Sequence, residues 1–189
     1  NIPIVFRGPN GIASRVAAQH SQDYSAWYSH VPGLKVIAPF DSTDAKGLLK
    51  SAIRDLNPVV FLENELMYNE KFNLNSDEEI IEIGKAKLMI EGKDITLIAF
   101  SRSVITALGV AEGLNKNNIS AEVINLRTLK PFDEKTILDS IKKTNRVVVI
   151  EEGWQQFGIA SEIISVISNK VFDFLDAPPI RFSGKDIPL

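Results

Sequence analysis

The sequence predicts an α/β protein of two units, and three observations carry that prediction. Apolar strands alternate with amphipathic helices from end to end, as parallel sheets covered by helices require. One polar, non-periodic stretch at 69–79, Asn-Glu-Lys-Phe-Asn-Leu-Asn-Ser-Asp-Glu-Glu, interrupts the alternation and reads as a linker. Hydrophobic residues make up 44% of the 189 and charged residues 24%, a globular composition with enough apolar material for a core.

The elements follow in order. Ile4-Val5-Phe6 is an apolar strand that begins with no preceding turn, and a Gly/Pro/Asn loop is expected from Arg7 to Gly11. A helix is expected through Tyr24, Trp27 and Tyr28, then a short strand from Lys35 to Ala38. Asp41 or Ser42 can cap the next helix, whose apolar residues Ala45, Leu48, Leu49, Ala52 and Ile53 recur at helical spacing. Pro58 introduces the buried strand Val59-Val60-Phe61-Leu62. Beyond the linker, strands are expected at Ile95 to Phe100, Ala121 to Asn125, Arg146 to Ile150 and Ile180 to Phe182. Val104, Leu108 and Ala111 line one intervening helix, Ile137, Leu138 and Ile141 a second, and Ile159, Ile163, Val166 and Ile167 a third. The bare apolar start and the lack of a closing helix read as a piece of a longer protein.

Several function classes are excluded early. A formal charge of −3 gives no electrostatic case for nucleic acid or an anionic membrane. No apolar run approaches the roughly 18 residues of a membrane span. With no cysteine and two histidines, thiolate chemistry is absent and a transition-metal site has few ligands. Neither GxGxxG nor GxxxxGK[ST] occurs, so no nucleotide fingerprint is present.

Four places could carry chemistry. His20 follows small residues in Ala17-Ala18-Gln19-His20-Ser21-Gln22, where a backbone can leave room for a ligand; a structural histidine is the other reading. In Ser51-Ala52-Ile53-Arg54-Asp55-Leu56-Asn57-Pro58, a helix end leaves carbonyls unpartnered, and Asp and Asn add oxygens. Such a cluster suits a hard cation such as potassium, or is an ordinary solvated cap. Glu63 and Glu65 would share a strand face and could pair for acid/base work, or lie in solvent. Glu151-Glu152 could cap the helix that Gly158 opens, or face a partner, with Trp154 and Phe157 read as packing residues.

At these residues the chain resembles the beta-subunit family of the decarboxylating pyruvate dehydrogenase component. The resemblance is carried by Arg7-Gly8-Pro9-Asn10-Gly11, Ala17-Ala18-Gln19-His20-Ser21-Gln22, Pro32-Gly33-Leu34-Lys35-Val36, Asp44-Ala45-Lys46-Gly47-Leu48 and Ala52-Ile53-Arg54-Asp55. It continues through Asn57-Pro58-Val59, Leu62-Glu63-Asn64-Glu65-Leu66-Met67-Tyr68, Arg127-Thr128-Leu129-Lys130-Pro131 and Glu152-Gly153-Trp154, in register over essentially the whole chain. It implies the end of a transketolase-like pyrimidine-binding domain at 1–68, a linker at 69–79, and a transketolase C-terminal-type α/β domain at 80–189 lacking its last residues.

The resemblance also implies function. Thiamine diphosphate would sit between alpha and beta subunits of an alpha2beta2 heterotetramer, with its diphosphate and magnesium on the alpha side. The beta-subunit glutamate that activates the aminopyrimidine would lie upstream of residue 1, so no cofactor-binding residue is assigned here. Pyruvate would be decarboxylated and the two-carbon unit passed to lipoyl groups of a dihydrolipoyl acetyltransferase core. His20 matches the family's active-site histidine, acting by hydrogen bonding or proton transfer. A structural potassium site maps onto Ile4, Ala52, Ile53, Asp55 and Asn57. Implied partners are the alpha subunit, a second beta subunit and the acyltransferase core, in a bacterial cytoplasm or a mitochondrial matrix. The alternatives are a branched-chain 2-oxo acid dehydrogenase beta subunit or, for the piece alone, a non-catalytic assembly module that is inactive by itself.

Overall fold

The computed structural model describes residues 1–13, 15–73 and 80–188. Nine strands and five α-helices are described: β1 (Val5–Asn10), α1 (Ser25–His30), β2 (Lys35–Ile37), α2 (Ser42–Arg54), β3 (Val59–Asn64), β4 (Lys87–Ile90), β5 (Ile95–Ala99), α3 (Ser103–Asn115), β6 (Ala121–Asn125), β7 (Thr128–Lys130), α4 (Glu134–Thr144), β8 (Val147–Trp154), α5 (Ile159–Lys170) and β9 (Ile180–Gly184). They form a four-stranded sheet, β1-β3-β2-β7, and a five-stranded sheet, β4-β6-β5-β8-β9. All neighbours are parallel except β2 with β7 and β4 with β6.

β1 runs further than the sequence suggests. The loop expected from Arg7 is strand as far as Asn10, paired in register with β3 from Val5↔Val59 to Asn10↔Asn64. Pro9 is tolerated because β1 is an edge strand. Val59 N–H donates to Ile4 O at 2.9 Å, so the amides of Phe6, Gly8 and Asn10 face the ladder and Pro9 nitrogen faces the open edge. The polar stretch at 69–79 lies partly outside the described residues, which stop at 73 and resume at 80. Its Phe72 packs edge-on against Phe40, with ring centroids 5.4 Å apart.

Helix α2 forms where the periodicity places it. The Asp41 side chain caps it by accepting from Asp44 N at 2.7 Å. Its Leu48 and Ala52 are buried against Ile37, Val59 and Phe61 of the first sheet. Gly47 is needed because a Cβ there would collide with the Ile81 side chain. Helix α4 is capped by Asp133, which accepts from Thr136 N at 3.2 Å, and ends at Asn145 in the left-handed region.

Strand β7 ties the two sheets together. It lies in the second half of the chain yet pairs with β2 of the first sheet. A single apolar cluster accordingly crosses from Val36, Val60 and Leu62 to Ile98, Leu126 and Ile137. Beside it, the buried carboxylate of Asp44 on α2 accepts from Arg127 Nε at 2.6 Å and Asn125 Nδ2 at 2.7 Å. The ends of β3 and β8 are thereby brought together.

Candidate functional site

His20 is exposed at the end of a 3₁₀ turn, Ala17–Gln19, beyond the C-terminal end of β1. Ligand residues gather at strand C-terminal ends in open α/β sheets. The connection carries strain, with Ala13, Arg15 and Ala17 at φ of 44°, 58° and 63° and Gly11 at 90°. Hydrogen bonds run through it step by step. Arg15 N donates to Ile12 O at 3.1 Å, Val16 N to Ser21 Oγ at 2.9 Å, and Ser21 N and His20 N to Ala17 O at 3.0 and 3.2 Å. Gly11 N closes the segment on Gln22 O at 2.8 Å. The backbone under His20 is therefore fixed, while its imidazole faces outward.

The end of β8 holds this segment from the other sheet. Glu152, whose side chain is only 14% exposed, accepts from Asn64 Nδ2 at 2.5 Å and lies 3.4 Å from Arg102 Nη1. Its carboxylate presses against Gly11, where any Cβ would overlap it, and faces the Ile12 amide. Burial raises the Glu152 carboxyl, with Arg102 opposing and Asp23 adding to the rise. Asp23, at the other end of the segment, accepts from Asn10 Nδ2 at 3.0 Å and Ser25 N at 2.8 Å. A Cβ on Gly153 would lie 2.8 Å from Asp23 Oδ2. Both ends of the His20 segment thus seat on Glu152-Gly153.

Sequence reading singles out Glu151-Glu152 but gives no role to Asn64, Asp23 or Asn10. Asn64 lies 88 positions from Glu152, a separation no local pattern reveals. The two glutamates differ: Glu151 takes the capping role, and Glu152 turns to Asn64 and Gly11 of the same chain. Glu151 caps α5, accepting from Ala160 N at 3.2 Å, but its Oε1 is buried with no partner among the described residues. Burial pushes this carboxyl up to about 7. Glu63 and Glu65 do not pair. The strand ends at Asn64, so Glu65 turns away in a 3₁₀ turn. Glu63 instead takes Arg7 Nε and Nη2 at 2.8 and 3.0 Å, with Tyr68 Oη at 2.7 Å.

The five oxygen-bearing positions lie toward one end of the first sheet. α2 ends at Arg54, and Ile4 O meets Val59 N two residues beyond Asn57. Asp55 N returns to Ala52 O at 3.3 Å, while no donor reaches the carbonyls of Ile53, Asp55 or Asn57 among the described residues. The Asp55 carboxylate is already engaged by Lys35 Nζ and by Asn57 N at 2.9 Å. Burial works against its charge, but Lys35 and Asn57 outweigh it and hold the carboxyl below its usual range. What remains for a cation is neutral carbonyl oxygen, a donor set suited to a weakly held monovalent ion.

Of two residues read as packing, Trp154 is half-buried and Phe157 is exposed. Trp154 donates its indole N–H to Ile187 O at 2.8 Å, but Phe157 is 91% exposed at φ 58°. Phe157 borders an open groove of about 1050 Å³ with Trp27, His30, Lys130 and Glu162. The groove does not include His20. Among the described residues no group of three or more His, Asp or Glu side chains could hold a metal ion, and no helix is long and apolar enough to cross a membrane.

Comparison with known proteins follows the same division. Residues 84–189 match the transketolase C-terminal domain and residues 1–71 the transketolase pyrimidine-binding domain. The chain is 56% identical over 187 residues to the pyruvate dehydrogenase E1 component subunit beta of Rickettsia felis, covering 99% of itself and 57% of that protein. It is 56% identical over 191 residues to the mitochondrial subunit of the same name from Dictyostelium discoideum, covering 99% of itself and 54% of that protein. The chain thus spans little more than half the length of these relatives. A solved split-gene transketolase, described as an inactive beta4 tetramer, superposes with a TM-score of 0.80 at 24% identity over 97% of this chain and 57% of that one. On its C-terminal match and its two-sheet fold, the chain belongs to the transketolase family.

Proposed function

We propose that this chain is part of the beta subunit of a thiamine diphosphate-dependent pyruvate dehydrogenase component, with 1–68 ending the pyrimidine-binding domain and 80–189 forming the C-terminal one. The observation that carries the reading is the 56% identity to pyruvate dehydrogenase E1 beta subunits over 99% of the chain. Branched-chain 2-oxo acids are not favoured by those relatives. The partners in this reading are an alpha subunit, a second beta subunit and the lipoyl-bearing acyltransferase core. In this reading the diphosphate and its magnesium are held by the alpha subunit.

Thiamine diphosphate supplies the electron sink that makes loss of carbon dioxide from a 2-oxo acid possible. The contribution of this chain is His20. An exposed imidazole on a hydrogen-bonded backbone can donate or accept a proton at its ring nitrogens without reorganising its support. The remaining proposed site is structural. Carbonyls of Ile4, Ala52, Ile53, Asp55 and Asn57 would hold potassium and brace the turn before Pro58.

The test uses the full-length chain assembled with its alpha subunit. Thiamine diphosphate-dependent release of carbon dioxide from pyruvate, well above that from branched-chain 2-oxo acids, is expected. The 189-residue chain alone should release none. Preference for branched-chain substrates, or no cofactor-dependent turnover by the assembly, contradicts the reading.

A further inference from the structure

We infer that Glu152 is a positioning residue for His20, holding the His20 segment in place from the opposite sheet. This rests on the reading of His20 given above. Three features carry it. Glu152 comes from β8 in the second sheet, yet its carboxylate meets Asn64, Gly11 and the Ile12 amide at the root of the segment. Asn64 is itself fixed, since its Oδ1 accepts from Leu66 N at 3.1 Å. Among the described residues, internal bonds from Ile12 through Arg15, Val16, Ser21 and Ala17 reach His20 N.

The arrangement also explains why a charged residue sits there. The segment holds left-handed backbone at Ala13, Arg15 and Ala17, conformations that persist only where surroundings impose them. A carboxylate receiving amide donors supplies such a restraint, because charge-assisted bonds are roughly twice as strong as neutral ones. Arg102 Nη1 lies 3.4 Å from Glu152 Oε1 and opposes the rise that burial imposes on this carboxyl. Glu152 touches neither substrate nor cofactor in this account; it acts through the backbone that carries the imidazole.

A double-mutant cycle on the assembled full-length enzyme tests this, with Glu152→Ala, His20→Ala and the pair. Glu152→Ala should lower kcat about tenfold with KM nearly unchanged, within the roughly 10²-fold that misplacement can cost. In the His20→Ala background the same change should cost less than about twofold, since an effect exerted through an absent side chain vanishes. Glu152→Gln, which keeps an acceptor, should recover most of the activity and covers the case in which the alanine variant does not fold. Hydrogen exchange at the Ile12, Ala13 and Val16 amides gives a readout apart from turnover. It should accelerate in Glu152→Ala and not in His20→Ala. Equal cost in both backgrounds, or unchanged exchange, overturns the role of Glu152. Near-normal turnover of His20→Ala alone overturns the reading of His20 and this inference with it, while exchange still reports whether Glu152 holds the segment.

Discussion

Arg127 and Asp44 form an ion pair between the two halves of the chain, with Nε 2.6 Å from Oδ1 and side chains only 9% and 0% exposed. Asn125 Nδ2 occupies the second carboxylate oxygen at 2.7 Å. Burial raises the Asp44 carboxyl and Arg127 opposes that rise. Replacing one partner would strand the other charge. Arg127→Met should therefore cost about 3–5 kcal/mol in urea unfolding, the usual penalty for breaking a buried pair. A loss below about 1 kcal/mol would show that the pair does not tie the halves together.

Glu151 should make stability depend on pH. Its folded carboxyl is pushed up to about 7, above the ordinary 4.5. Between those values the unfolded chain has released its proton while the folded chain keeps it, so stability falls as pH rises through that window. The contribution is fully present below pH 4.5 and gone above 7, with a total on the order of 3 kcal/mol. Glu151→Gln should remove this slope and be more stable than the parent at pH 8. Any slope left in the variant would come from other raised carboxyls such as Glu152 and Asp44. Thermal melts of both proteins from pH 5 to 8 decide it; parallel curves would count against a proton on Glu151.

Local signals were legible in the sequence and long-range ones were not. The α2 boundaries and the Asp41 cap follow from apolar spacing and a polar residue at the helix start. Gly8-Pro9-Asn10 reads as a turn that shortens β1, and only the place of β1 at the sheet edge makes Pro9 compatible with pairing. The three residues of β7 carry no periodicity of their own, and what makes them a strand is β2, more than 90 positions away. His20 stands out in the sequence only through its motif, and Glu152 and Asn64, which meet at the root of its segment, come together only through the tertiary fold.

Gly11 has no room for a side chain. A Cβ there would overlap the Glu152 carboxylate and the Asn64 amide, and its φ of 90° is strained for any L-residue. Gly11→Ala should cost roughly 1–3 kcal/mol and loosen the His20 segment. Unchanged stability by chemical denaturation would mean that β8 and the segment are not in tight contact.

Potassium should stabilise the turn before Pro58. The melting temperature of the assembled full-length enzyme in potassium chloride should exceed that in choline chloride of equal ionic strength and rise with potassium concentration, as binding to the folded state alone requires. Equal melting temperatures in the two salts over that range would argue against an ion at Ile4, Ala52, Ile53, Asp55 and Asn57.

The most direct measurement is the turnover of His20→Ala in the full-length subunit assembled with its partner. Removing a positioned acid/base group should lower kcat by roughly 10²-fold or more, while the melting temperature stays at the parent value because the side chain is exposed. Turnover within about twofold of the parent, in a protein that folds and assembles normally, would contradict the assignment of chemistry to this segment.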